Sequence, residues 1–280
     1  MPWSPELADG RQPSRNATGP IPFYDGILGV NPDALLGSWA GEPDVDDPRS
    51  GHVVGVEAFT TWVKHTREWL IGAGAVVRPV HLIVTASRTV EEVGLDLTLD
   101  GARRELPVAV VGERRGDGRL TAVRVYHSLW PLTGGHEVRH PLLARDPTLT
   151  MPDVVGDYQR ALAAGNLDGI LASYEDGAVV REPAGGEYAY TGKDALRRIY
   201  TLQFADGLGI PLEHCTLTDD GRACAVEYNA VRWGAVTIPA QAGIAVYQRG
   251  DSGKLAFARI YDDVAPPPAS DSSTQRAVAP

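Results

Sequence analysis

Two acidic residues, Asp47 and Glu182, are each followed by proline and stand 135 residues apart. A carboxyl group becomes a proton shuttle when apolar surroundings destabilise its charged form and lift its pKa toward neutrality. Tyr158 lies upstream of Glu182, and a phenol facing a dry cavity can stabilise an enolate oxygen. A carboxyl and a phenol together suit proton abstraction beside a carbonyl, hence double-bond migration, intramolecular aldol closure or elimination. Upstream of Asp47 the phenol is replaced by Phe23, with Tyr24 next to it and about 100° further round a helix. His127 stands 135 residues before Asp262, so an imidazole base near Asp47 forms a second constellation. At the end of the last strand run, Asp262 and Asp263 are adjacent, and strand alternation turns only one of them to each face. Asp263 is carried forward as the inward candidate.

These candidates fall on an internal repeat. Tyr158-Gln159-Arg160-Ala161-Leu162 leads to Asn166-Leu167-Asp168, Ile170-Leu171, Tyr174 and Glu182-Pro183. A shift of 135 lands on Phe23, Asn31-Pro32-Asp33, Leu35-Leu36, Trp39 and Asp47-Pro48. The shift persists to the ends, where Arg124-Val125-Tyr126 falls on Arg259-Ile260-Tyr261 and Glu92 on Glu227. Two homologous halves are expected, 20–130 and 151–264, joined by a Pro-, Gly- and His-rich linker at 131–150. The arm 1–19 and the tail 265–280 are expected to be disordered.

Each half must hold its candidates in the same way. Val154, Val155, Tyr158 and Leu162 form an apolar helical stripe that Asp153 can cap and Gly165 can end. Asn166 can cap a second helix, as Asn31-Pro32 can in the first half. A third helix carries Leu196, Ile199, Tyr200 and Gln203, matched by Phe59, Trp62, Val63, Thr66, Trp69 and Leu70. Alternating runs such as Val93, Leu95, Leu97 and Leu99 predict antiparallel strands thereafter. Helices followed by strands make an α+β layer fold. Shared Glu92 and Arg124, with Glu227 and Arg259, read as a buried ion pair in each half that sets register.

Composition excludes some functions. Thirty-six acidic against 26 basic residues give a net charge of −10, with no Lys/Arg cluster, which argues against nucleic acid and against an anionic membrane surface. The first 20 residues lack the basic start and apolar core of a secretory signal. A cytoplasmic location with Cys215 and Cys224 reduced is therefore expected. His81 and His214 have no third ligand at metal spacing, so no metal is expected.

The order of three helices and a curved antiparallel sheet resembles the cone-shaped fold of the nuclear transport factor 2-like superfamily. The run Ala163-Ala164-Gly165-Asn166-Leu167-Asp168 after the first helix and Arg181-Glu182-Pro183-Ala184-Gly185-Gly186 before the third carry that resemblance. In motif the halves are most similar to SnoaL-like polyketide cyclases and ketosteroid isomerases, present as a tandem repeat forming an intrachain pseudo-dimer compatible with a monomer. The resemblance implies Glu182 as general base and Tyr158 as oxyanion donor, with Ala245 standing where ketosteroid isomerases carry a second, acidic donor. Late-strand acids of SnoaL-like cyclases bring Asp263 into the catalytic set. The limonene epoxide hydrolase branch carries an Arg-x-Asp on one strand, and none is found on the strands here. Tyr24, Trp62, Trp233, Tyr247 and Tyr261 are the expected substrate-binding aromatics. The expectation is a cofactor-independent isomerase, cyclase or lyase acting on a small hydrophobic carbonyl compound such as a polyketide or terpenoid intermediate. A non-catalytic binding or assembly module and an epoxide hydrolase or cyclase are the alternatives.

Overall fold

The computed structural model describes Trp3, residues 22–185 and residues 188–265. The chain divides into two compact units, one reaching to Gly134 and including 218–225, the other comprising 135–217 and 226 onward. Apart from Trp3, the arm and the tail from 266 lie outside the described residues.

In the first unit, helices α1 (Phe23–Gly29) and α2 (Pro32–Leu35) precede strands β1 (Asp44–Asp47) and β2 (Gly51–Val54). Helix α3 (Val56–Gly72) is followed by β3 (Val76–Val84), β4 (Arg88–Leu99), β5 (Ala102–Arg114) and β6 (Leu120–Tyr126). A short α4 (Trp130–Thr133) closes the unit. The second unit repeats the plan with α5 (Asp153–Ala164), α6 (Leu167–Ser173), β7 (Tyr174–Arg181), β8 (Ala189–Thr191) and α7 (Lys193–Gln203). Strands β9 (Leu212–Asp219), β10 (Ala223–Trp233), β11 (Val236–Arg249) and β12 (Leu255–Tyr261) complete it.

The two six-stranded sheets run β2-β1-β6-β5-β4-β3 and β8-β7-β12-β11-β10-β9. The repeat extends to register: Val45 pairs with Val123 and Asp46 with Arg124 in one sheet, as Val180 pairs with Ala258 and Arg181 with Arg259 in the other. Each of these four residues in the second sheet lies 135 positions after its counterpart. Both pairings are parallel, so each mostly antiparallel sheet is mixed. A parallel neighbour needs a long crossover, and the third helix with the following strands supplies it in each unit.

Local signals act as expected. The Asn31 and Asn166 side chains each accept a backbone N–H at 3.0 Å, from Asp33 and Gly169, and so cap α2 and α6. Gly165 ends α5 with φ 66°, where a left-handed residue favours glycine. Gly55 and Gly192 precede α3 and α7 at φ 89° and 80°. The segment after Gly135 runs along the second unit, where Asp146 N–H donates to His214 O at 2.9 Å and Asn229 Nδ2 to Leu143 O at 3.0 Å. No helix among the described residues is long and apolar enough to cross a membrane.

The first unit is filled. Phe23, Phe59 and Trp62 pack ring on ring, and Trp3 stacks on Phe23 at 5.3 Å while its indole N–H donates to Phe23 O at 2.8 Å. Trp3 is thus docked, because a large aromatic gains by burial once its N–H is satisfied. Gly26 makes room for it: a Cβ there would meet the Trp3 indole.

Candidate active site

Strand parity builds the site in the second unit. Tyr228, Ala230 and Arg232 alternate along β10, and Ala245 and Tyr247 along β11; all five line one interior cavity of about 70 Å³. Ala245 stands opposite Ile260, and directly opposed residues share a face, so Ile260, Asp262 and Val264 continue the lining. Helix α5 contributes Tyr158 and Leu162, and α7 contributes Tyr200 and Gln203. Glu182 enters directly after β7.

Two carboxyls face this cavity, and both are perturbed. Burial lifts Glu182 to about 7, and the negative charge of Asp262 pushes the same way, against a weak 3.4 Å hydrogen bond donated by Gln203 Nε2. Burial lifts Asp262 to about 6, opposed by the Tyr228 hydroxyl, which donates at 2.6 Å, and by Val264 N–H at 3.2 Å. Near neutrality the pair therefore holds about one proton, with Asp262 pinned as the anion and Glu182 the less restrained carrier.

Opposite the acids lies a chain of phenols. Tyr158 and Tyr200 hydroxyls are 2.8 Å apart, and Tyr200 and Tyr174 are 3.5 Å apart. Burial holds all three well above the ordinary phenol range, so they stay neutral. Tyr174 does not line the cavity and Tyr158 does. Either hydroxyl of each pair can donate; when Tyr174 donates to Tyr200 and Tyr200 to Tyr158, the Tyr158 O–H is left for an oxyanion.

The remaining sequence candidates are placed as follows. Trp233 and Tyr247 line the cavity, and the Tyr247 hydroxyl accepts from Gln159 Nε2 at 2.7 Å. Tyr261 faces the other side of the sheet, where the Arg181 guanidinium lies 4.6 Å from its ring. Asp263 is also on the far side, bonded to His136 Nδ1 and to Glu137 N–H, each at 2.9 Å. The inward acid is therefore Asp262. The register of β12 against β11 carries that assignment, and alternation alone leaves the choice between the two acids open. Tyr228, Tyr200, Tyr174, Gln203 and Arg232 are further site residues that sequence reasoning passed over, because tyrosine on a helix stripe or strand reads as core.

In the first unit, Asp47 is buried and accepts Trp62 Nε1–H at 2.9 Å and Arg49 N–H at 3.1 Å. His127 Nε2 lies 4.0 Å from Asp47 Oδ1. Burial first, then the Asp47 charge, keeps Tyr24 neutral. These groups do meet, but beside a packed interior. The positions matching Tyr158, Tyr174, Tyr228, Arg232 and Ala245 at the 135 shift are Phe23, Trp39, Val93, Leu97 and Val110, all buried and apolar. Trp62 serves as a donor to Asp47 rather than as a wall of an open pocket.

Arg124 reaches Glu113 at 2.9 Å, Arg259 donates to Gln248 at 3.3 Å, and Glu227 accepts Thr216 Oγ1–H at 2.5 Å, so these shared polar groups are engaged with their own sheets. Asp44, Asp46 and His52 bring possible metal-ligand atoms within 4.8 Å of one another on the β1–β2 hairpin, where His52 already bonds Asp44 at 2.8 Å. Two larger surface grooves, about 660 and 640 Å³, lie beside α5–α6 and β2–α3 and hold neither Glu182 nor Asp262.

Comparison with known proteins finds a family match and several similar solved structures. A family model described as a SnoaL-like domain matches residues 155–258. Similar solved structures include a SnoaL-like protein of unknown function from Burkholderia thailandensis, 18% identical over 38% of this chain and 88% of that one, with a TM-score of 0.32. A protein with a ketosteroid isomerase-like fold from Catenulispora acidiphila is 20% identical over 39% and 84%, with a TM-score of 0.34. An epoxide hydrolase/cyclase-like enzyme of pyran ring formation in the polyether salinomycin is 19% identical over 39% and 87%, with a TM-score of 0.32. Apart from 218–225, the SnoaL-like match falls within the second unit, and the first unit repeats that unit's strand order and register.

Proposed function

We propose that the SnoaL-like second unit is a cofactor-independent acid–base catalyst acting beside a carbonyl of a small substrate. The observation that carries this is the pair Glu182 and Asp262, lifted to about 7 and 6 in one cavity. Glu182 takes the α-proton as the C–H bond breaks, the electron pair moves to the carbonyl oxygen, and Tyr158 donates to that oxyanion. Return of the proton at another carbon gives isomerisation. Attack of the enolate on a second carbonyl gives ring closure, and loss of a β-substituent gives elimination.

Cavity size narrows the substrate. About 70 Å³ is well below the roughly 300–1,000 Å³ of pockets for drug-sized ligands, so a compact carbonyl compound fits better than a multi-ring polyketide. The test is α-deuterium exchange in D₂O across a panel of small ketones and enones, with Glu182→Gln and Tyr158→Phe as controls. Exchange that depends on Glu182 supports the reading, and exchange indifferent to both substitutions contradicts it.

A second reading rests on the same two values. A protonated Glu182 and an ionised Asp262 could open an epoxide, one donating to the ring oxygen and the other directing water. Incorporation of ¹⁸O from labelled water into the diol of a small epoxide would favour it over enolate chemistry.

A further inference from the structure

Arg232 is a charged group lining this cavity that the acid–base scheme leaves unused. It stands two residues from Ala230 and four from Tyr228 on β10, so alternation gives it the same cavity-facing side. Its Nε–H is buried and finds no hydrogen-bond acceptor among the described residues. The carboxylate its charge influences, Asp206, is already engaged by Leu208 N–H at 3.0 Å and Ala235 N–H at 2.6 Å. A guanidinium is permanently charged and has five N–H donors in a fixed fork that matches a carboxylate, and a buried N–H without an acceptor is unfavourable until one arrives.

We propose that Arg232 receives an anionic oxygen of the substrate, so that the second unit acts on small oxo-carboxylates. The inference rests on the acid–base reading and names the substrate class for it. Arg232 supplies the countercharge that lets an anion approach a cavity already holding two carboxyls. It leaves the substrate carbonyl for Tyr158 and the acidic C–H for Glu182.

The test compares 4-oxopentanoate with 2,5-hexanedione, a neutral analogue of similar shape, by calorimetric titration into the full chain carrying Glu182→Gln, where no turnover intervenes. The acid is expected to bind about ten-fold or more tighter than the dione, a difference of about 1.4 kcal/mol. Adding Arg232→Gln should abolish that preference while leaving dione binding within about two-fold, and Arg232→Lys should restore part of it. Circular dichroism of each variant checks folding, and a misfolded Arg232→Gln passes the decision to Arg232→Lys. Equal binding of the two probes, no binding of the acid, or a preference that survives loss of the guanidinium overturns the proposal. Deuterium exchange in the wild-type protein separates the two ideas. Acid preference without exchange keeps the Arg232 site and removes the Glu182 chemistry, whereas exchange of the dione without acid preference does the reverse.

Discussion

Glu182 and Asp262 differ in what holds them, and that difference assigns their work. Asp262 takes a short bond from Tyr228 and a backbone N–H, whereas Glu182 has one long bond from Gln203. Glu182→Gln should therefore lower turnover by about 10²–10⁴-fold with little change in the circular dichroism spectrum. Tyr158→Phe should cost about 10²-fold, and Tyr174→Phe, two bonds removed, only a few-fold, as read from single-substrate kinetics. The acids also make stability depend on pH. Folded Glu182 keeps its proton up to about 7, while the unfolded chain releases it near the ordinary carboxylate value. Raising the pH from about 4.5 to 7 therefore destabilises the fold, by about 3 kcal/mol at most from this group. Urea titrations across that range should show the loss, and Glu182→Gln should flatten its share of it.

Elements set where these side chains point. The succession of helices and then strands in each half, and the 135-residue repeat, were legible because alternation, asparagine caps and turn glycines are local signals. Alternation was legible within a strand, yet choosing between Asp262 and Asp263 needed the register of β12 against β11. The pairing of Ala245 with Ile260 puts Asp262 on the cavity face and Asp263 on the other. The phenol chain was not legible, since Tyr158, Tyr174 and Tyr200 come from α5, β7 and α7 and only packing brings their hydroxyls together. The parallel pairings were hidden for the same reason. The segment after α7 closes on α5 at Gly209, where a Cβ would meet the carbonyl of Leu162 and the backbone nitrogen of Gly165. Gly209→Ala should displace Ile210, which lines the cavity, and lower stability by about 1–3 kcal/mol. Thermal melts check the stability change and deuterium exchange checks the site.

Across the whole molecule one plan is used twice with opposite interiors. The first unit fills its interior with Phe23, Phe59, Trp62 and Trp3, and the second keeps a small cavity edged by acids, phenols and an arginine. Asp47→Ala should leave turnover unchanged while costing about 1–3 kcal/mol in urea denaturation, because the buried Trp62 N–H loses its acceptor. A loss of turnover with stability intact would instead put chemistry in the first unit. The central claim, that the second unit holds an acid–base pair sharing about one proton, is tested most directly by ¹³C NMR titration of the side-chain carboxyl carbons of Glu182 and Asp262, assigned with Glu182→Gln and Asp262→Asn. Apparent values of about 7 and 6, with Glu182 falling when Asp262→Asn removes the neighbouring charge, are predicted. Independent titration of both groups near 4 would contradict the account.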